Sequence, residues 1–426
     1  MSAAEKLSAP EDHGLLRFLT CGSVDDGKST LIGRLLVDTR SVLADALSAV
    51  ERTSRRRGLD AVDLSLLTDG LSAEREQGIT IDVAYRYFST GARKYIIADA
   101  PGHEQYTRNM VTAASTAHLA VILVDARKGV LTQTRRHSYI AHQVGVPHLV
   151  VAVNKMDLVG WSEEVFRRIE ADYLAFAGKL GIEDVRFIPM SALTGDMVVE
   201  RGEHLAWYRG PTLLDVLEQA PAAHTEGTEP LRFPVQWVCR PHTEAHHDFR
   251  GFAGRVESGE VAVGDAVRVL PSGRETRVKA IWLGDVALRR ASSEQSVMLQ
   301  LEDEVDVSRG DLLVRVGEAP VPEPVRTIDA VVCWLSERPL SAARKYVVRH
   351  TARESKAQLT GVAWRLDLAA LEQVPAEGLA MNDIGRVTLK LAQPIAADPY
   401  ASNRATGSFI VVDEATNDTV GAGMIL

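Results

Sequence analysis

Two regimes of apolar patterning divide the chain. From Leu15 to about Leu217, short apolar runs alternate with stretches of helical period. LLRFLTC (15–21), KYIIAD (94–99), LAVILVDA (119–126), HLVVAVNK (148–155) and VRFIPMSA (185–192) contain few polar positions, which predicts strands buried on both faces. Between them, KSTLIGRLLVDT (28–39) and SEEVFRRIEADYLAFAGKL (162–180) repeat apolar residues every three to four positions, the spacing of helices. Such alternation predicts a mostly parallel sheet with helices on both faces.

Past APAAHTEGTEPLRFP, near 220–230, the period changes. FRGFAGRVESGEVAVGDAVRVLPSGRETRVKAIW alternates in twos and turns at Gly259, Gly264 and Gly273, which predicts an all-β barrel or sandwich. VGEAPVPEPV (316–325) has three prolines in five residues, reads as a second linker and leads into another β-rich region. The expected organisation is an α/β domain over 1–225 followed by small all-β barrels over 226–320 and 321–426.

Composition narrows the class. A chain of 426 residues, 46% hydrophobic and 25% charged, is that of a soluble multidomain protein. The net charge of −9 argues against nucleic acid or anionic membrane as a partner, and Arg55-Arg56-Arg57 reads as a solvated helix face. The longest apolar run, LAVILV (119–124), is far short of a membrane span, and no signal-like segment opens the chain. Cys21, Cys239 and Cys333 are too far apart for a CxxC site and odd in number, which suggests a reduced, cytoplasmic protein.

Gly22-Ser23-Val24-Asp25-Asp26-Gly27-Lys28-Ser29-Thr30 follows a predicted strand and opens a predicted helix, the context a phosphate loop requires. Backbone N–H groups would surround the β-phosphate, Lys28 would bridge β- and γ-oxygens, and the Ser29 hydroxyl would ligate Mg²⁺. Two aspartates in such a loop are tolerable if both side chains turn outward.

Asn154-Lys155-Met156-Asp157 ends another apolar run. A carboxylate at Asp157 can accept from guanine N1–H and its 2-amino group together, an arrangement that adenine lacks. Asn154 would brace the loop, the Lys155 stem would cover the base, and Ser191 and Ala192 would bring backbone N–H groups to the guanine oxygen, with Leu193 beside them in the GTP site. In Asp99-Ala100-Pro101-Gly102-His103, Asp99 would reach Mg²⁺ through water and Gly102 N–H would sense the γ-phosphate. His103 would orient the attacking water, and Thr80 in EREQGITID would be the second hydroxyl ligand of Mg²⁺, so His103, Lys28 and Thr80 form the expected catalytic set for GTP, with GDP as product.

Together these motifs resemble the translation-factor GTPases of the elongation factor Tu family. The order of motifs, the GITI segment and DxPGH match, and the resemblance implies an α/β P-loop GTPase domain followed by two β-barrels. SVDDGK departs from that family's HVDHGK. Longer blocks, LSAEREQGITIDVAYRYFST, PGHEQYTRNM, DARKGVLTQTRRH, DFRGFAG and TVGAGMIL, resemble the large, GTPase subunits of bacterial sulfate adenylyltransferase. That resemblance implies GTP hydrolysis by this chain, while a separate small catalytic subunit makes adenosine 5′-phosphosulfate and pyrophosphate from ATP and sulfate. No second phosphate loop and no HxGH motif occurs, so sulfate activation is expected on the partner. The alternative is a translation factor carrying aminoacyl-tRNA, which the acidic charge and Asp26 disfavour.

Two segments stand outside these motifs. The stretch from Asp38 to Gly78 is long for a loop, and SVLADALSAVERTSRR within it has amphipathic helical spacing; it is expected to respond to the γ-phosphate and meet the small subunit. RPHTEAHHDFRG (240–251) places His242 and His246 at a possible metal-pair spacing beside His247, but an exposed polar turn accounts for it as well.

Overall fold

A computed structural model describes residues 14–56, 58, 62–68, 82–103, 106–182, 184–221, 229–240, 249–367, 370 and 372–426. The chain divides into two compact units, Met1–Ala223 and His224–Leu426.

In the first unit, β1 (Leu15–Cys21), β2 (Ala84–Ser89), β3 (Lys94–Asp99), β4 (Leu119–Asp125), β5 (His148–Asn154) and β6 (Val185–Pro189) form one sheet in the order β2-β3-β1-β4-β5-β6. Every pairing is parallel except β2 with β3, which is antiparallel. Central β4 is buried at all seven positions, as an apolar run covered on both faces must be. The helices are α1 (Lys28–Asp38), α2 (Ala44–Arg56), α3 (Thr107–Ser115), α4 (Thr132–Gln143), α5 (Glu163–Lys179) and α6 (Leu213–Gln219). From α1, Leu31, Ile32 and Leu35 enter the core with Phe18, Ile97, Val121 and Leu123. Their i, i+1, i+4 spacing is the buried stripe of a helix lying on a sheet. Arg93 is buried and donates to the carbonyls of Leu217 and Glu218 at 3.1 and 3.2 Å and to that of Ala220, closing the C-terminal end of α6.

The second unit contains two closed six-stranded antiparallel barrels. The first runs Ala266–Leu270, Leu312–Arg315, Phe233–Cys239, Gly251–Arg255, Ser296–Leu301 and Arg274–Leu283, and the last strand pairs back with the first. The second runs Tyr346–His350, Ser408–Asp413, Thr419–Ile425, Pro324–Trp334, Ile384–Ala396 and Arg353–Asp367, closed in the same way. Closure removes the unpaired edges that an open sheet would expose. Gly264 and Gly273 adopt φ of +92° and +74° where the first barrel's chain reverses, a conformation that glycine reaches without a Cβ penalty. Between the barrels, Arg232 makes a two-pronged buried ion pair with Asp398, both contacts at 2.8 Å, and also donates to the Pro320 carbonyl at 2.7 Å.

Candidate functional site

β1, β3, β4 and β5 all point their C-terminal ends toward one rim of the sheet, where a parallel sheet leaves a crevice for ligands. The loop from β1 to α1 lies there. A Cβ on Gly22 would stand 3.0 Å from Leu123 Cβ, and Gly27, at φ +92°, would put one 2.5 Å from Asn154 Nδ2. Helix α1 begins without a side-chain cap, with Ser29 and Thr30 half-buried in its first turn. That helix start is a ready binding place for an anion.

Asp25 and Asp26 behave differently. Asp25 is exposed at φ +68°, as the sequence reading required. Asp26 is buried instead of outward, and its Oδ2 accepts from Ser23 N–H at 2.7 Å. Motif spacing carries no information on which way that side chain turns. Burial pushes its carboxyl up to about 6, against the Ser23 hydrogen bond and the charges of Lys128 and Lys155, with Asp125 adding to the rise.

Strand register brings the second motif to the loop, because Thr20 pairs with Asp99 and Ala100 N–H donates to Thr20 O at 3.1 Å. Lys28 Nζ lies 3.0 Å from Asp99 Oδ1, both buried. Pro101 is buried, and a Cβ on Gly102 would come within 2.5 Å of the Gly22 carbonyl oxygen, so glycine alone permits that approach. His103 is exposed, its ring centroid 6.2 Å from that of Tyr106. Thr80 lies outside the described residues, as do His242, His246 and His247.

The base-reading motif ends β5. Asn154 is buried; its Nδ2 donates to Asp26 O at 2.8 Å and its Oδ1 accepts from Ala192 N–H at 2.9 Å. Lys155, at φ +64°, donates to the Asp25 carbonyl and sits 3.1 Å from Asp125 Oδ2. Burial opposes ionisation of Asp125, yet Arg127 and Lys155 outweigh it and hold its carboxyl below the usual range. Met156 is buried, and its N–H donates to Met190 O at 3.2 Å. From α1, Arg34 donates to Ala192 O at 3.2 Å and to the Leu193 carbonyl. Ser191 N–H donates to Asp196 O at 3.2 Å. In this structure the N–H groups of Ser191 and Ala192 are used within the base loop, on Asp196 O and Asn154 Oδ1.

The residues present fit a guanine nucleotide. Asp157 Oδ1 is buried with no hydrogen-bond partner among the described residues, at the position where a base edge with two adjacent donors would satisfy it. They also fit Mg²⁺, since Ser29 and Asp99 supply the hard oxygen donors that this ion takes.

Known proteins agree with this geometry. Residues 13–222 match the family model described as the elongation factor Tu GTP binding domain, and 327–426 match a GTP-eEF1A C-terminal domain-like model. A protein named sulfate adenylyltransferase subunit 1 from Cellvibrio japonicus is 54% identical over 422 residues, 99% of this chain and 88% of its own. This chain belongs to the sulfate adenylyltransferase subunit 1 family. Members from Citrobacter koseri and Laribacter hongkongensis are each 52% identical, over 98% of this chain and 87% and 86% of theirs. Among solved structures, that of sup35 complexed with GDP aligns over 100% of this chain and 96% of its own at 23% identity and a TM-score of 0.44, too low to bear on fold or ligand.

The motifs do not include Gln133 and His137. They lie in the DARKGVLTQTRRH block at i, i+4 on α4, and Gln133 reaches the Gly102 carbonyl.

Proposed function

We propose that this chain is the GTP-hydrolysing subunit of a heteromeric sulfate adenylyltransferase, working with a small catalytic subunit that makes adenosine 5′-phosphosulfate and pyrophosphate from ATP and sulfate. The observation that carries the reading is the buried Asp157 Oδ1, without a partner among the described residues, on a loop tied by Asn154 to the phosphate loop. The names of its relatives support the sulfate-activating partner and disfavour the translation-factor alternative. The proposal includes a cytoplasmic location and domain limits at 225 and 320; no helix among the described residues is long and apolar enough to cross a membrane.

Each residue then has a task. The backbone from Gly22 to Thr30 wraps the phosphates, with Lys28 turning from Asp99 toward the β- and γ-oxygens. Asp157 accepts from both guanine donors, Asn154 holds base loop and phosphate loop at one spacing, and the Lys155 stem covers the ring. Gly102 presents its N–H to the γ-phosphate, and His103, exposed beside it, orients the attacking water. Ser29, Thr80 and, through water, Asp99 would hold Mg²⁺, which when bound neutralises charge on the β- and γ-oxygens.

Base choice tests the reading. Asp157→Asn offers a donor where guanine also has one, whereas xanthine presents an oxygen there. Competition titration should shift preference from GTP toward XTP by about 1–3 kcal/mol. Unchanged relative affinities would remove Asp157 from the base site.

A further inference from the structure

Helix α4 opens beside the Pro101–His103 turn, and three polar side chains of its first turns contact one another. Arg136 Nη1 donates to Gln133 Oε1 at 3.1 Å, which sets the amide: Oε1 accepts and Nε2 faces away. Gln133 Nε2 then lies 3.0 Å from the Gly102 carbonyl oxygen and 3.0 Å from His137 Nε2. A carbonyl oxygen can only accept, so one N–H of Gln133 is committed to Gly102. The other points to His137, whose Nε2 must accept; the imidazole is therefore neutral, with its proton on Nδ1. The surroundings enforce that state, since burial, then Lys28 and Arg136, drive His137 down to about 3. His137 Nδ1 is buried without a partner among the described residues. The histidine thus gives up one hydrogen bond while its other nitrogen holds Gln133.

The Gly102 carbonyl belongs to the peptide whose N–H is that of His103. Holding the oxygen stops that peptide plane from rotating and so sets the direction in which His103 leaves the chain. We propose that Gln133, held by His137 and Arg136, is a positioning residue for hydrolysis, setting the Gly102–His103 peptide so that His103 faces the attacking water. This inference rests on the reading of His103 above. Gln133 itself touches neither nucleotide nor water.

The test uses the intact chain and GTP. Gln133→Ala should lower kcat for hydrolysis by about 10- to 100-fold, the scale of a misplaced catalytic group, with the Kd values for GTP and GDP unchanged within about threefold. Gln133→Glu keeps the shape but presents a carboxylate to a carbonyl; it should be equally slow at neutral pH and recover as the pH falls and the new carboxyl gains a proton to donate. In a His103→Ala background, Gln133→Ala should add little further loss, because both act through one group. A normal kcat in Gln133→Ala, a loss that multiplies with that of His103→Ala, or a rise in both Kd values would overturn the positioning role. If His103→Ala itself hydrolyses GTP at the normal rate, the reading of His103 fails first and takes this inference with it. Normal melting temperatures of the two glutamine variants would separate these results from loss of fold.

Discussion

Asp26 is a carboxyl group placed under a loop built to attract negative charge. The residue is only 1% exposed, and it serves the loop by accepting from Ser23 N–H. That service does not require ionisation, since the amide oxygen of asparagine can accept as well. With its ionisation moved from the ordinary 3.8 to about 6, the folded state holds the proton more tightly than the unfolded chain does. The associated stability is present in full below pH 4 and is lost as pH rises through 6, a change of about 3 kcal/mol. Asp26→Asn is neutral throughout and escapes that loss. Its melting temperature relative to wild type should therefore climb between pH 4 and 7 and level off above. A difference that stays flat across that range would mean the Asp26 carboxyl is not destabilised by burial.

At the scale of elements, legibility followed burial. Strands β1, β3, β4 and β5 stand where the apolar runs predict them because most of their positions are buried, and β6, at the far edge, is marked by its buried Ile188-Pro189 end. β2 was missed because AYRYFS is an edge strand whose Tyr85 and Tyr87 are exposed, leaving no continuous apolar run. Phosphate and base motifs were readable because backbone geometry dictates their residue types, glycine above all. Gln133 was not, since a polar residue on a helix carries no mark of what it reaches. The Arg232–Asp398 pair was equally invisible, its partners lying 166 residues apart on two barrels. Both side chains are 4% exposed, and Asp398 also accepts from Thr406 at 2.5 Å. Asp398→Ala should lower the unfolding free energy of the C-terminal unit by about 3–5 kcal/mol, because it strands a buried guanidinium. Replacing both partners by Met and Leu should cost less. Denaturant titration decides, and a loss under about 1 kcal/mol for Asp398→Ala would show that the pair is dispensable.

For the whole molecule, the proposed function joins two chemistries in two chains. Making a phosphate–sulfate anhydride from ATP and sulfate is uphill, since the new bond is more labile than the one broken. GTP hydrolysis can drive it only if both subunits pass through states that each reaction biases. The phosphate loop, the DxPGH turn and the base loop are tied together by Asn154, Gly102 and Lys28. The central claim is that hydrolysis at this site drives product formation on the partner. The measurement is the plateau amount of adenosine 5′-phosphosulfate formed by the assembled subunits from ATP and sulfate, with GTP and without. Wild type should exceed the ATP-only equilibrium while GTP is being hydrolysed, and His103→Ala, still binding GTP, should not. Product beyond that equilibrium in the variant, with hydrolysis shown to be absent, would contradict the claim.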